Sequence, residues 1–401
     1  MRDYWDFYTA GKLMFGRGVT SRLGAELKRG GWDRPMVITD KNLVHAGVTE
    51  PVIAELKSEA SDPILFDESE AEPSLNVAIK AQQVANDFQP DVIIGLGGGS
   101  NMDLAKMTAL LQAHGGAPED YFGFDQVPGP VIPLICMPTT SGTGSEVSHA
   151  AVLTDTQNDI KVSTLSRFLR PSLAMVDPEL TRSCPKRVTA ESGMDALTHA
   201  IEAFTARQPQ DLSASNDEDL PYPGKNPLAD ALAEKAIRLI GKHLEQAVND
   251  PNDMDARENM SLASTLAGMA FSNGAVAVVH ALEYPMGVAL HCSHGQGNGL
   301  LLPYVMKFNQ PARKESFAQI AEFLGCQIAD LNPDQAADAA IEKVSSMKEN
   351  VGLPLRIRDI GGKREQLPQF ADKSIQINRL MDINPVQPSR DDLLKILESA
   401  F

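Results

Sequence analysis

Long apolar runs, paired cysteines and positive charge are all scarce in this chain of 401 residues. No segment reaches the roughly 18 uninterrupted apolar residues that a membrane-spanning helix requires, so a membrane protein of that kind is excluded. The four cysteines, Cys136, Cys184, Cys292 and Cys326, show no CxxC spacing. The opening MRDYWDFYTAGK also has no apolar signal core, and together these features predict a reducing cytoplasm. Acidic residues outnumber basic ones 53 to 36 for a net charge of −17. Such a surface repels a phosphate backbone, no local basic patch reverses the sign, and nucleic acid is excluded as a partner.

What is present is the composition of a globular protein, 43% apolar and 22% charged. The length exceeds the roughly 250–300 residues at which a single core stops growing, so two domains are expected. From Pro35 to about Val176, short apolar runs alternate with amphipathic stretches, the pattern of a parallel sheet covered by helices. MVIT (36–39), ILF (64–66), DVIIGLG (91–97) and VIPLICMP (131–138) read as its strands, with a helix from about Ser74 to Phe88. After Cys184 the strand pattern stops, and helices are predicted at 190–206, 227–249, 256–271, 275–284 and onward to the end. The boundary falls in DPELTRSCPK (177–186), which divides the chain into an α/β domain, 1–183, and an all-α domain, 184–401. The acidic stretch 208–225, QPQDLSASNDEDLPYPGK, reads as a surface loop within the helical half.

Gly97, Gly98, Gly99 and Ser100 lie between a strand and a helix, where backbone N–H groups and the helix dipole converge on an anion. Glycine lets a pyrophosphate approach the backbone, although the run is not GxGxxG and serves equally well as a tight turn. Asp40 closes the first clear strand, where a carboxylate accepts from ribose hydroxyls and repels a 2′-phosphate, favouring NAD over NADP. The hydroxyl-rich loop TTSGTGSE (139–146) offers further polar contacts or a plain flexible turn.

In VTAESGMDALTHAIEA (188–203), Met194, Leu197, Ile201 and Phe204 mark one buried helical face, with Thr189 as the expected N-cap. Asp195 and His199 stand roughly 40° apart around that helix and off the apolar stripe. Alone they read as a surface ion pair. Three of the eight histidines, however, crowd into fifteen positions: His280, His291 and His294. His280 sits in the apolar GAVAVVHALEYP, where a buried core histidine is the plainer reading, and His294 in the glycine-rich HCSHGQGNG, read as a loop. One aspartate with three imidazoles suits Fe(II) or Zn(II) and leaves a position open for a substrate oxygen.

With these motifs in view, the chain resembles the iron-containing (group III) alcohol dehydrogenase family. The resemblance rests on GGGSNMD (97–103), PTTSGTGSEV (138–147), MVDPEL (175–180), ESGMDALTHAIEAF (191–204) and HALEYPMGVALHCSHGQGNGLLLP (280–303). LPLRIRDIG (353–361) and NPVQPSRDDLLKIL (384–397) extend it over nearly the whole chain. It implies a dinucleotide-binding α/β domain, a helical domain, and a metal and active site in the cleft between them. Carried over by position, it implies metal ligands at Asp195, His199, His280 and His294. It implies cofactor contacts at Asp40, Gly97, Gly98, Gly99, Ser100, Asp103, Thr139, Thr140, Thr143, Lys161 and Leu180. It further implies iron in preference to zinc, a small alcohol, aldehyde or ketone as substrate, and a homodimer.

Two departures from the family stand out. Many members carry a second histidine four residues after the third ligand and assign it to proton relay, whereas this chain has Tyr284. A tyrosine with a reference pKa near 10 needs tuning for that role, and His291 is the other candidate. The stretch 208–225 is also longer than the family's turn. The reaction implied is hydride transfer between an alcohol carbon and NAD. The alternatives are a hydroxyacid–oxoacid transhydrogenase with bound nicotinamide and a lyase of dehydroquinate synthase type, which needs a basic cluster that the ligand segments lack.

Overall fold

The apolar runs of the first half become a parallel sheet, and the second half becomes helices, in the computed structural model, which describes residues 4–58, 62–158, 160–212 and 219–401. Contacts divide the chain into two units, Thr9–Cys184 and Pro185–Phe401, the latter joined by residues up to Tyr8. The sequence boundary places that first segment with the α/β domain. It groups with the helices because Tyr8 N donates to Asn273 Oδ1 (2.6 Å) and Asn273 Nδ2 donates to Tyr8 O (2.7 Å).

The α/β unit contains β1 (Leu13–Phe15), α1 (Leu23–Gly30), β2 (Pro35–Ile38), α2 (Lys41–His45), α3 (Thr49–Ser58), β3 (Ile64–Phe66), α4 (Leu75–Phe88), β4 (Val92–Gly97) and α5 (Gly99–His114). It continues with β5 (Gly123–Phe124), β6 (Leu134–Pro138), β7 (Ala150–Asp155), β8 (Ile160–Leu165) and β9 (Leu173–Val176). Six strands pair in the order β1-β9-β6-β4-β2-β3, every pair parallel. All residues of β2, β4, β6 and β9 are buried, the state that unbroken apolar runs predict for a sheet covered on both faces. From β2 the chain moves outward to β3, and from β4 it moves the opposite way through β6 to β9. The order therefore reverses between β2 and β4, and the crevice outside their carboxyl ends is where such sheets receive ligands. A smaller sheet, β5-β8-β7, contains the β7–β8 hairpin. Besides β1 and β9, these short pairs escape the sequence reading because they carry no long apolar run.

The helical unit opens with α6 (Lys186–Thr205), followed by α7 (Pro227–Asn249), α8 (Met254–Asn273), α9 (Val278–Leu290) and α10 (His294–Asn309), with further helices to Ser399. Two expectations change here. Thr189 is not the N-cap, because α6 begins at Lys186 after Pro185. Nor is α6 amphipathic, since Thr189–Thr205 is buried apart from the half-buried Ser192. The helix is enclosed because Gly193 admits Leu244 of α7, where a Cβ would sit 2.2 Å from Leu244 Cδ1. Other helices start where caps predict: Asn226 accepts from Ala229 N and Asp253 from Ala256 N. Residues 213–218 of the acidic stretch lie outside the described residues. Its described end is not a surface loop, since Tyr222, Pro223 and Gly224 are buried, Gly224 N donates to Gly274 O and Lys225 N to Arg207 O. Among the described residues no single helix is long and apolar enough to cross a membrane.

Candidate metal centre and dinucleotide loop

Asp195 and His199 from α6, His280 from α9 and His294 from α10 bring one ligand atom each to within 4.8 Å of the others. Asp195, His199 and His280 are buried and His294 half-buried. His199 Nε2 and His294 Nε2 each lie 3.9 Å from Asp195 Oδ1. The His199 ring stacks on Phe271 (4.4 Å between centroids) and on His280 (4.9 Å), which fixes its plane.

Two carboxylates that the sequence reading missed set the other rings. Glu202, one turn beyond His199, receives His280 Nδ1–H at 2.6 Å and also accepts from Ala277 N and Val279 N at the start of α9. Glu283 receives His294 Nδ1–H at 2.6 Å. A donating Nδ1 leaves the lone pair on Nε2, so both imidazoles present lone pairs inward. Burial opposes ionisation of Asp195, yet the surrounding imidazoles of His199, His294 and His280 and the Asn298 donor hold its carboxyl below its ordinary value. One carboxylate oxygen and imidazole nitrogens so directed form a donor set that fits a divalent transition metal. A signal for both glutamates is visible in hindsight: carboxylates inside THAIEAF and VVHALEYP have no solvent to face.

The segment HGQGNG, expected as a loop, is the first turns of α10. Its glycines serve approach rather than bending. A Cβ on Gly295 would lie 2.4 Å from Glu191 O, one on Gly297 2.6 Å from Glu283 Cγ, and one on Gly299 2.9 Å from Met194 Cβ. Ser293 caps the helix and donates to Glu191 Oε2 at 2.7 Å, so α6 fixes the register of His294. The half-buried Tyr284 is one turn beyond His280, its ring centroid 6.0 Å from His294 and 6.5 Å from His280. His291 is exposed in a left-handed C-cap (φ 51°), and among the described residues no ring contact joins it to the cluster.

In the α/β unit the reversal point is lined by the carboxyl ends of β2 and β4. Asp40 Oδ1 caps α2, accepting from Asn42 N and Leu43 N, and its Oδ2 accepts from Asn101 Nδ2 at 2.8 Å. Asn101 thereby ties Asp40 to the glycine turn, where Gly97 holds φ 150° and a Cβ would meet Asn101 Nδ2 at 1.9 Å. Gly98 is the N-cap of α5. Thr139 N donates to Gly97 O, Thr140 lies beside Gly98 and Thr143 packs on Gly99. Ser100 Oγ donates to Ala71 O at 2.5 Å. Asp103 is tied to the protein: Ser145 Oγ and Val152 N donate to it, and burial raises its carboxyl despite Lys106 beside it. Lys161 on β8 is 3.3 Å from Glu72. Leu180 lines a cavity of about 560 Å³ with Gly18, Ala46, Val48, Asp177 and Arg182. The fully buried Lys106 was not foreseen. It donates to Ser145 Oγ (2.7 Å), Ser148 Oγ (3.1 Å) and Ala150 O (2.7 Å), pinning the hydroxyl-rich loop to α5.

Comparison with known proteins agrees with this geometry. Residues 10–178 match the family model described as iron-containing alcohol dehydrogenase, and residues 218–401 match its C-terminal counterpart. The chain is 37% identical to long-chain-alcohol dehydrogenase 1 of Geobacillus thermodenitrificans over 96% of this chain and 94% of that protein. It is 32% identical to the NAD-dependent methanol dehydrogenase of Bacillus methanolicus over 99% of this chain and 100% of that one. A crystal structure of 1,3-propanediol oxidoreductase superposes with a TM-score of 0.93 at 32% identity, covering 99% of this chain and 100% of its own. The chain belongs to the iron-containing alcohol dehydrogenase family and is a metal-dependent alcohol oxidoreductase.

Proposed function

We propose that this enzyme interconverts small primary alcohols and their aldehydes with NAD, using Fe(II) held by Asp195, His199, His280 and His294. The carrying observation is the cage itself: four donor atoms within 4.8 Å, two of the imidazoles backed by buried carboxylates. Relatives are named for methanol, long-chain alcohols and 1,3-propanediol, and methanol and 1,3-propanediol are primary alcohols. When bound, the cation supplies Lewis-acid polarisation of an alcohol or carbonyl oxygen and the nicotinamide supplies the hydride acceptor or donor. Glu202 and Glu283 orient His280 and His294 by accepting their Nδ1 protons. Tyr284 is the group placed to pass the alcohol proton outward, since its ring lies against His280 and His294 while His291 stands apart in solvent. Asp40 would select NAD by accepting from the adenosine ribose, and Gly97–Gly99, with Thr139, Thr140 and Thr143 beside them, would hold the pyrophosphate. We assign the enzyme to the cytoplasm as a homodimer, following family habit.

The test is NADH formation from a panel of alcohols and diols by protein loaded with Fe(II) or with Zn(II). Stoichiometric NADH from a primary alcohol, fastest with Fe(II), is the expected result. Turnover only when an oxoacid is added, with no free NADH, would replace this reading with the transhydrogenase.

A further inference from the structure

Asn298 is assigned no role by the ligand set, yet its side chain is inside it. It is fully buried one turn beyond His294 on α10. Its Nδ2 lies 2.8 Å from Asp195 Oδ1, 3.0 Å from His294 Nε2 and 3.2 Å from His280 Nε2. Those are three of the four atoms offered to the metal. Its Oδ1 is buried with no hydrogen-bond partner. A side-chain amide can normally turn over to satisfy its oxygen. Here the turn would press Oδ1 against a carboxylate oxygen and two imidazole lone pairs, all acceptors, because Glu202 and Glu283 already hold the Nδ1 protons. The amide therefore keeps its N–H groups inward and leaves its oxygen unbonded. It is the positively polarised atom that these acceptors share.

We propose that Asn298 is a built-in substitute for the cation, a positioning residue that holds the ligands together when the ion is away and competes with it when it returns. This rests on the four residues being the metal ligands. Two N–H protons serve three acceptors, Asp195 Oδ1 and two Nε2 atoms. A lone pair given to a metal is no longer available to an N–H. Asp195 retains lone pairs and can keep its bond, whereas the imidazole bonds must be surrendered. Asn298 thus stabilises the metal-free protein by more than the loaded one. Its presence makes the site weaker and more exchangeable than the same ligands without it.

The experiment compares wild type with Asn298→Ala, each stripped by chelator and then reloaded with Zn(II), reading thermal unfolding and affinity by competition with a chromophoric chelator. The metal-free variant should unfold at a lower temperature, the loaded variant should lie closer to wild type, and Zn(II) should bind roughly 3- to 10-fold tighter, the equivalent of one hydrogen bond. A variant recoverable only with Zn(II) present is the limiting form of that result. Equal losses in the loaded and stripped proteins would make Asn298 an ordinary core residue and overturn the proposal. Weaker Zn(II) binding would overturn it too. If Asn298→Ala folds in neither condition, Asn298→Ser, which retains one donor, must give the same sign at smaller size or the proposal fails. Zn(II) content of wild type separates this outcome from the underlying reading: if four-ligand binding is absent there, the ligand assignment fails first.

Discussion

The candidate metal cage is made of side chains aimed by buried carboxylates, while the candidate dinucleotide loop is made of glycines and hydroxyls pinned by one buried lysine. In the helical unit Glu202 and Glu283 each tie down an imidazole, and in the α/β unit Lys106 ties down Ser145, Ser148 and Ala150. The difference teaches where specificity is stored. A cage needs directed lone pairs, which only oriented side chains supply. A phosphate cradle needs backbone N–H groups brought close, which the absence of side chains supplies.

The contrast predicts that damage stays within its own site. The largest effect is expected for Glu202→Ala, which frees the His280 ring and strands Ala277 N and Val279 N. Metal affinity should fall about 10- to 100-fold, measured by chelator competition, with NADH binding by fluorescence unchanged. Unchanged metal affinity would break the comparison at its stronger side. Next is Lys106→Met, which leaves the Asp103 carboxylate buried beside an apolar chain and should destabilise the α/β unit by about 3–5 kcal/mol. Weaker NADH binding with full metal content is the diagnostic pattern in denaturant and ligand titrations. Asp40→Asn comes third. Its Oδ1 can keep the α2 cap while the charge and the Asn101 bond are lost, so NADP should gain on NAD by about tenfold in kcat/KM, or roughly 1.4 kcal/mol; an unmoved ratio would remove Asp40 from cofactor choice.

A further effect concerns pH. Lys348 is buried, and burial with Arg356 nearby lowers its ammonium to about 8. Between that value and its ordinary one the unfolded chain holds more protons than the folded protein. Stability of the helical unit should therefore rise as pH increases from about 8 toward 10.5. Lys348→Met should flatten that slope in urea unfolding, without touching the α/β unit.

How far the sequence carried differs between these sites in the same physical terms. Runs such as VIIGLG are buried on both faces, so apolarity alone marks β2, β4 and β6, whereas β7 alternates and β1 is three residues long. The four clustered residues, Asp195, His199, His280 and His294, could be singled out because histidine is sparse and their segments resemble a known family. Glu202, Glu283 and Asn298 were not, because a carboxylate or amide one turn from a ligand looks like any polar residue until the facing helix is known. HGQGNG was misread for the same reason: glycine composition suggests a bend, and only the neighbouring Glu191 carbonyl and Met194 side chain reveal a contact surface.

That surface bears on anyone who would transplant this centre into a designed bundle. Gly295, Gly297 and Gly299 leave no room for a methyl group at alternate positions of α10. The interaxial spacing, not the choice of three histidines and an aspartate, is then the hard specification. A scaffold with ordinary helix separation could carry every ligand and still fail to close them on an ion.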